Sequence, residues 1–470
     1  MEFFSIVDFL YGPIALFLII ISARIRKYRK VKTNPEYTYY TKGLYVKLIG
    51  GLSLCLIYTV YYGGGDTVNY FRDAVCMARL LVTDPTGFIV VMTEGLSIEN
   101  YFYFNEGTGY PIYFRDAQTF FVVRIASFFV ILGAGSFIVS TMLFAYASYA
   151  GIWKLYQLFV MEFPELKKQM AIAILFIPSV FFWGSGIMKD TITLSAIGYY
   201  SYSFYMLFIK RRNVLSSAIT IFISAYLILM IKPYIIFALL PGSLIWFVNR
   251  QLGSISNSVI KFLMGPFMFS IAIAGGYLLL INMGDLLGLY SVDKVLERAV
   301  ITYKDLKSDY YGGNTFDIGE FEANVPSMLA KAPAAINVAL FRPYIWEANN
   351  IVMILSGLEG LILLFMAIRM VIKLRVIGIF PMLVKNHLLT FSLIFSLFFA
   401  FSVGISTSNF GSLVRYRIPA LPFFVACLFI MQYYFDLRNR EEKPVETDVQ
   451  ELSSEETKTD EEKEKPDEKV

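Results

Sequence analysis

Long uncharged apolar runs alternate along this chain with short polar or basic connections, and that block pattern predicts membrane helices. The runs lie near residues 3–23, 43–62, 136–158, 169–185, 190–209, 214–231, 233–248, 260–281, 349–369, 387–406 and 417–436. Each approaches the roughly 20 residues that carry an α-helix across a bilayer. A transmembrane barrel would show short alternating segments instead. The expected fold is an all-α polytopic membrane protein with about 11 transmembrane helices. The first run lacks a basic segment before it and a small-residue cleavage site after it, so it reads as a retained span.

A further apolar stretch, "FFVVRIASFFVIL" at 120–132, is short for a span. If it crossed, Lys167 and Lys168 would change sides. It is expected to lie along the outer interface with Arg124 reaching water or headgroups, or to re-enter the membrane. Two long stretches then read as outer loops, at about 63–135 and 282–348. No internal repeat of transporter type is evident.

Charge sets the orientation. Basic clusters follow the first, fifth, ninth and last runs ("RIRKYRKVK", "KRR", "RMVIKLR", "RNR"); Lys167 and Lys168 precede the fourth, and Arg250 and Lys261 flank another connection. Counting spans puts all of them on one face, the cytoplasmic one, with the N-terminus outside and the C-terminus inside. Composition agrees: 57% of the chain is hydrophobic and 17% charged, against about a quarter charged in soluble domains. The net charge of +4 hides an acidic end, since residues 441–470 hold thirteen Asp/Glu and five Lys. Residues 1–436 therefore form the transmembrane domain, and 437–470 a disordered cytoplasmic tail too polar to build a core. Cys55, Cys76 and Cys427 have neither metal nor redox spacing.

The candidate chemistry lies in turns assigned to the outer face. "FFWGSGIMKDT" (181–191) puts Lys189 and Asp190 at the start of a helix, where unpaired N–H groups attract anions. Lys189 adds to a diphosphate cradle there and Asp190 caps the helix or acts as a catalytic base, or the stretch is a plain turn with an N-cap Asp and a snorkelling Lys. "YYGGGDTVNYF" (61–71) places Asp66 and Tyr70 four residues apart, followed by Arg72. Asp66 either deprotonates or orients a sugar hydroxyl, or caps a helix. "LFRPYIWEANN" (340–350) groups Arg342, Trp346 and Glu347, which suits a sugar against the indole or equally an ion pair beside an interfacial Trp. "SLVRYRIPALP" (412–422) places Arg415 and Arg417 against the positive-inside bias. With Lys189 and Lys232 they make an anion site, or they pair with acidic outer residues. The only histidine, His387, sits at the inner end of a span, so an outer-face base must be a carboxylate, Tyr or Lys. No phosphate-binding loop or dinucleotide fingerprint occurs in the right context, and nothing points to nucleic acid.

Three of these stretches resemble a known group. "GGGDTVNYF" after an early span, "PSVFFWGSGIMKDTI" and the late "RYRIPALPF" are similar to motifs of EpsG-like and Wzy-type polysaccharide polymerases, multispan envelope-glycan enzymes of GT-C-like build. The resemblance implies a polyprenyl-diphosphate-linked oligosaccharide as substrate, on the outer face of the bacterial cytoplasmic membrane. It implies repeat-unit polymerisation in polysaccharide biosynthesis, with no cofactor and no metal. Asp66 and Tyr70 would orient the acceptor; Lys189, Arg415 and Arg417 would stabilise the leaving diphosphate. Partners would be the lipid-linked glycan, the bilayer and other polysaccharide-assembly proteins. The outer stretch 282–348 matches no catalytic signature, and the absence of an outer-loop histidine argues against a ligase.

Three other readings stand beside the polymerase. A GT-C glycosyltransferase using a polyprenyl-phosphate sugar would make Asp66 its base. A flippase or transporter would place ionisable residues at mid-membrane depth, where only Glu359 stands out. A scaffold would use the acidic tail for docking.

Overall fold

The computed structural model describes residues 6–253, 294–308 and 314–441, with isolated positions 268, 270 and 274. Among them the chain is helical, apart from loops and one isolated bridge between Thr315 and Asn409. Eight helical segments are long and apolar enough to cross a membrane: Asp8–Lys30, Pro35–Tyr61, Lys189–Ile209, Val214–Ile231, Tyr234–Leu252, Ile351–Arg375, His387–Ser406 and Leu421–Asn439. A ninth is added if the bent pair α6 (Ala117–Leu132) and α7 (Phe137–Glu162), which meet at 114°, counts as one span. The chain is thus an α-helical polytopic membrane protein, with eight or nine candidate spans among the described residues where about eleven were expected.

The difference has local causes. The expected span 260–281 lies outside the described residues. The expected span 169–185 divides into α8 (Lys167–Leu175) and the six-residue α9 (Pro178–Trp183). Pro178 lacks an N–H and disfavours helical geometry in the residue before it, so Ile177 is extended. The start of α9 is capped at the buried Ser179 by Glu359, which accepts from the Ser179 N–H at 2.8 Å and its hydroxyl at 2.6 Å.

The stretch 63–135 is not an open loop. It folds into α3 (Asp66–Thr83), α4 (Pro85–Thr93), α5 (Ile98–Tyr101) and α6, around a core of their own including Val68, Met77, Phe114 and Phe120. Asp84, Ser97 and Asp116 cap α4, α5 and α6 with their side chains. The second stretch likewise contains α13 (Val295–Leu306), α14 (Val325–Ala330) and α15 (Ala332–Phe341).

A larger core joins α2 (Tyr40–Leu56), α7, α8, α10 (Lys189–Phe204), α12 (Tyr234–Gly253), α17 (His387–Ser406) and α19 (Leu421–Glu441). Small residues set its closest crossings, as in helix pairs without a hydrophobic driving force between them. A Cβ on Gly151 of α7 would lie 2.1 Å from the Ser195 carbonyl oxygen of α10, and one on Gly404 of α17 would lie 2.1 Å from that of Ala335 in α15. The intervening α11 (Val214–Ile231) packs on α10, α16 (Ile351–Lys385) packs on α19, and α18 (Phe410–Tyr416) leads into α19. The last helix continues to Glu441, five residues into the stretch expected to be tail; residues 442–470 lie outside the described residues.

Candidate anion site at a membrane-helix junction

Four segments far apart in sequence meet at Arg415. Its Nε donates to Asp190 Oδ2 at 2.6 Å and its Nη1 to Asp66 Oδ2 at 2.5 Å. Asp190 also takes Lys232 Nζ on its other oxygen, at 2.5 Å. The Asp190 side chain is fully buried, whereas that of Asp66 is 44% exposed. One end of the network is therefore sealed and the other reaches the surface. Lys189, next to Asp190, turns instead toward Asp116 at 3.7 Å. The Lys232 ammonium also sits 4.6 Å from the centre of the Tyr416 ring.

Local sequence explains each placement. Gly63, Gly64 and Gly65 have φ of 67°, 153° and 117°, a region that favours glycine, and they turn the chain from the end of α2 into α3 with Asp66 first. Gly184 and Gly186 serve another purpose. A Cβ on Gly184 would lie 2.5 Å from the Val180 carbonyl oxygen, and one on Gly186 would lie 2.2 Å from Leu54 Cδ2. The Gly-Ser-Gly turn thus packs flat against α2, and Thr191 donates back to the Gly186 carbonyl at 2.6 Å. Close packing, not approach of a ligand to bare backbone, accounts for those two glycines.

Asp66 has a second anchor, since the Tyr113 hydroxyl donates to its Oδ1 at 3.2 Å. Tyr113 is held in turn by Asp73, which accepts from the backbone N–H groups of Ile112 and Tyr113 at 2.9 and 2.8 Å. Burial would push the Asp66 carboxyl up, but the Arg415 guanidinium and the hydrogen bonds from Arg415 and Tyr113 outweigh it and hold it below the usual range. Burial pushes Asp73 up, against its two backbone hydrogen bonds. Burial opposes ionisation of Asp116 as well, and Lys189 with the cap hydrogen bonds more than offsets it.

The other sequence candidates divide. Tyr70 is buried on α3 with its ring 5.0 Å from that of Tyr113. Arg72 is exposed; six residues from Asp66, it falls on another side of the helix. Arg417 is fully buried, and its partners are Glu359 and the carbonyls of Arg342 and Ser356. It holds α16 in place and offers no open face for a ligand; this departs from the leaving-group role that the resemblance implies. Arg342 and Glu347 pair with each other, with Nε to Oε2 at 3.0 Å, and the guanidinium lies over Phe316 and Phe410. Trp346 is 78% exposed and stacks on Tyr344. That group does not share a hydrogen bond with the Arg415 network. It borders the backbone ladder that fixes α18, in which Phe316 N–H bonds Ser408 and Phe410 N–H bonds Asn314.

Lys189, Lys232 and Tyr416 stand at the polar part of a cavity of about 470 Å³. The rest of its wall is mainly apolar and comes from α12, α13 and α17, including Phe237, Leu296, Phe398 and Phe401. Cations beside a greasy cavity suit an anionic headgroup on a long apolar chain. Among the described residues no cluster of His, Cys, Asp and Glu has the arrangement to hold a metal ion.

Sequence reasoning missed Tyr113 and Asp116. The "RDAQT" that opens α6 carries an N-cap signal for Asp116. Nothing local marks Tyr113, whose contact with Asp66 closes over 47 residues. Comparison with protein-family models, with curated proteins and with solved structures finds no match.

Proposed function

We propose that this protein polymerises polyprenyl-diphosphate-linked oligosaccharide repeat units at the outer face of the bacterial cytoplasmic membrane. One observation carries the reading: Lys189 and Lys232 line an apolar cavity, and Arg415 shares the Asp190 carboxylate with Lys232. The lipid chain would lie in the cavity and the diphosphate at the cations. Three anions, Asp66, Asp116 and Asp190, balance three cations, Lys189, Lys232 and Arg415. A diphosphate therefore binds by taking cations from resident carboxylates. Lys189 is the first to transfer, because its contact with Asp116 is the longest and Asp116 is 56% exposed.

The reaction follows from these exchanges. An acceptor hydroxyl oxygen attacks the anomeric carbon of the donor glycan as the bond from that carbon to the diphosphate oxygen breaks. The diphosphate leaves with the electron pair, and preplaced cations stabilise the charge it gains. Asp66 takes the hydroxyl proton. In the free protein Arg415 makes it a weak base; once the diphosphate engages Arg415, burial is left as the dominant influence and the carboxylate gains proton affinity.

The test is substitution in a strain lacking the chromosomal copy. Lys189→Ala, Lys232→Ala and Arg415→Ala are expected to remain in the membrane, to lose the ladder of glycan chain lengths, and to accumulate lipid-linked single repeats. Normal ladders from Arg415→Ala would end the reading. One added sugar in place of a ladder would assign a single-sugar transferase.

A further inference from the structure

The mechanism above leaves the tyrosines at the end of α2 without a task. There the helix widens into a π-turn, Ile57–Tyr61, which re-aims the side chains that follow; such turns recur at functional sites. Tyr58, Tyr61 and Tyr62 form a chain of edge-on rings, with centroids 5.4 Å apart for Tyr58 and Tyr62 and 5.0 Å for Tyr61 and Tyr62. Tyr58 also meets Trp183 of α9 edge-on at 6.5 Å. Tyr61 is 59% and Tyr62 47% exposed. The glycine turn brings this group to Asp66: a Cβ on Gly65 would lie 2.7 Å from the Tyr58 ring.

Interfacial tyrosines ordinarily ring a membrane protein and need no ligand. Here Tyr58 packs on the glycine turn that leads directly into the half-exposed Asp66, Tyr62 and Tyr61 extend outward from it ring to ring, and none of the three lines the apolar cavity. Open ring faces beside a carboxylate are what a pyranose requires: its C–H face packs on the rings, and its hydroxyls donate to the acid.

We propose that Tyr58, Tyr61, Tyr62 and Asp66 form a sugar subsite for a neutral pyranose of the acceptor glycan, adjoining but separate from the lipid-phosphate cavity. Its assignment to the acceptor rests on the function proposed above; its affinity for sugar does not. The full chain in lipid nanodiscs is applied to an array of neutral gluco-, galacto-, manno- and N-acetylglucosamine oligosaccharides, and undecaprenyl diphosphate binding is measured on the same preparation. The wild type is expected to retain at least one oligosaccharide class. Tyr61→Ala/Tyr62→Ala is expected to weaken that binding by about tenfold or more, from loss of two ring contacts, while undecaprenyl diphosphate binding stays within about twofold. Tyr61→Phe/Tyr62→Phe keeps the rings and is expected to bind sugar as the wild type does. A wild type that retains no oligosaccharide, or an Ala variant that retains it undiminished, overturns the subsite. Loss of both ligands in the Ala variant also overturns it as a separate site. Sugar binding without undecaprenyl diphosphate binding leaves the subsite standing and ends the lipid-linked reading instead.

Discussion

Arg415 is the residue at which the candidate chemistry and the fold meet. Its guanidinium joins a surface carboxylate to a buried one, and no lysine offers two aligned donors in that fork. At the buried end one carboxylate serves two cations: Asp190 is fully enclosed and holds both Arg415 and Lys232. Breaking a buried pair by removing one partner typically costs about 3–5 kcal/mol, because the other charge is stranded. Lys232→Met and Asp190→Leu are each expected to unfold more readily in detergent. The double variant should be markedly more stable than the sum of the two losses, as a double-mutant cycle of denaturant unfolding would show. Additive losses would mean that the pair is not coupled. Arg417 belongs to a separate buried pair with Glu359. Sequence offered no means of telling the two arginines apart, since they are two residues from each other in one basic motif.

At the scale of elements, the junction depends on how closely α2 and α9 approach. A Cβ on Gly50 would lie 2.2 Å from the Phe181 carbonyl oxygen, a backbone atom that cannot move alone. Lys47, one turn earlier, donates to the Gly184 carbonyl at the end of α9. Gly50→Ala is therefore expected to push α9 and the Gly-Ser-Gly turn off α2, destabilising the protein by about 1–3 kcal/mol. Gly12→Ala, with nothing within 4 Å of its Cβ, is the control and should be neutral. Thermal stability followed by size-exclusion chromatography separates the two; equal melting would remove this packing from the account. α9 itself shows what a hydropathy pattern cannot reveal. Residues 169–185 are apolar enough to read as one span, yet Pro178 and the Glu359 cap divide them, and that cap comes from a helix 180 residues away.

For the whole molecule, the functional reading requires the Arg415 junction to face away from the cytoplasm. Cys55, Cys76 and Cys427 are all buried, so the native chain provides a quiet background for thiol labelling. Tyr62→Cys is expected to react with a membrane-impermeant maleimide in intact cells, and Arg211→Cys only after the membrane is opened. The reverse pattern would put the site in the cytoplasm and end the polymerase reading. By itself the sequence determined the class, an α-helical membrane protein, because the length and apolarity of each run are local properties that the bilayer reads directly. It also marked the charged turns, since a charge in an apolar chain stands out wherever it falls. Tertiary structure alone decided which of those charges meet. The contacts from Asp66 and Asp190 to Arg415, and from Lys232 to Asp190, are set by helix crossings at Gly50, Gly151 and Gly404, and by a helical segment where composition suggested a loop. Such crossings join residues hundreds of positions apart, and no local pattern carries them.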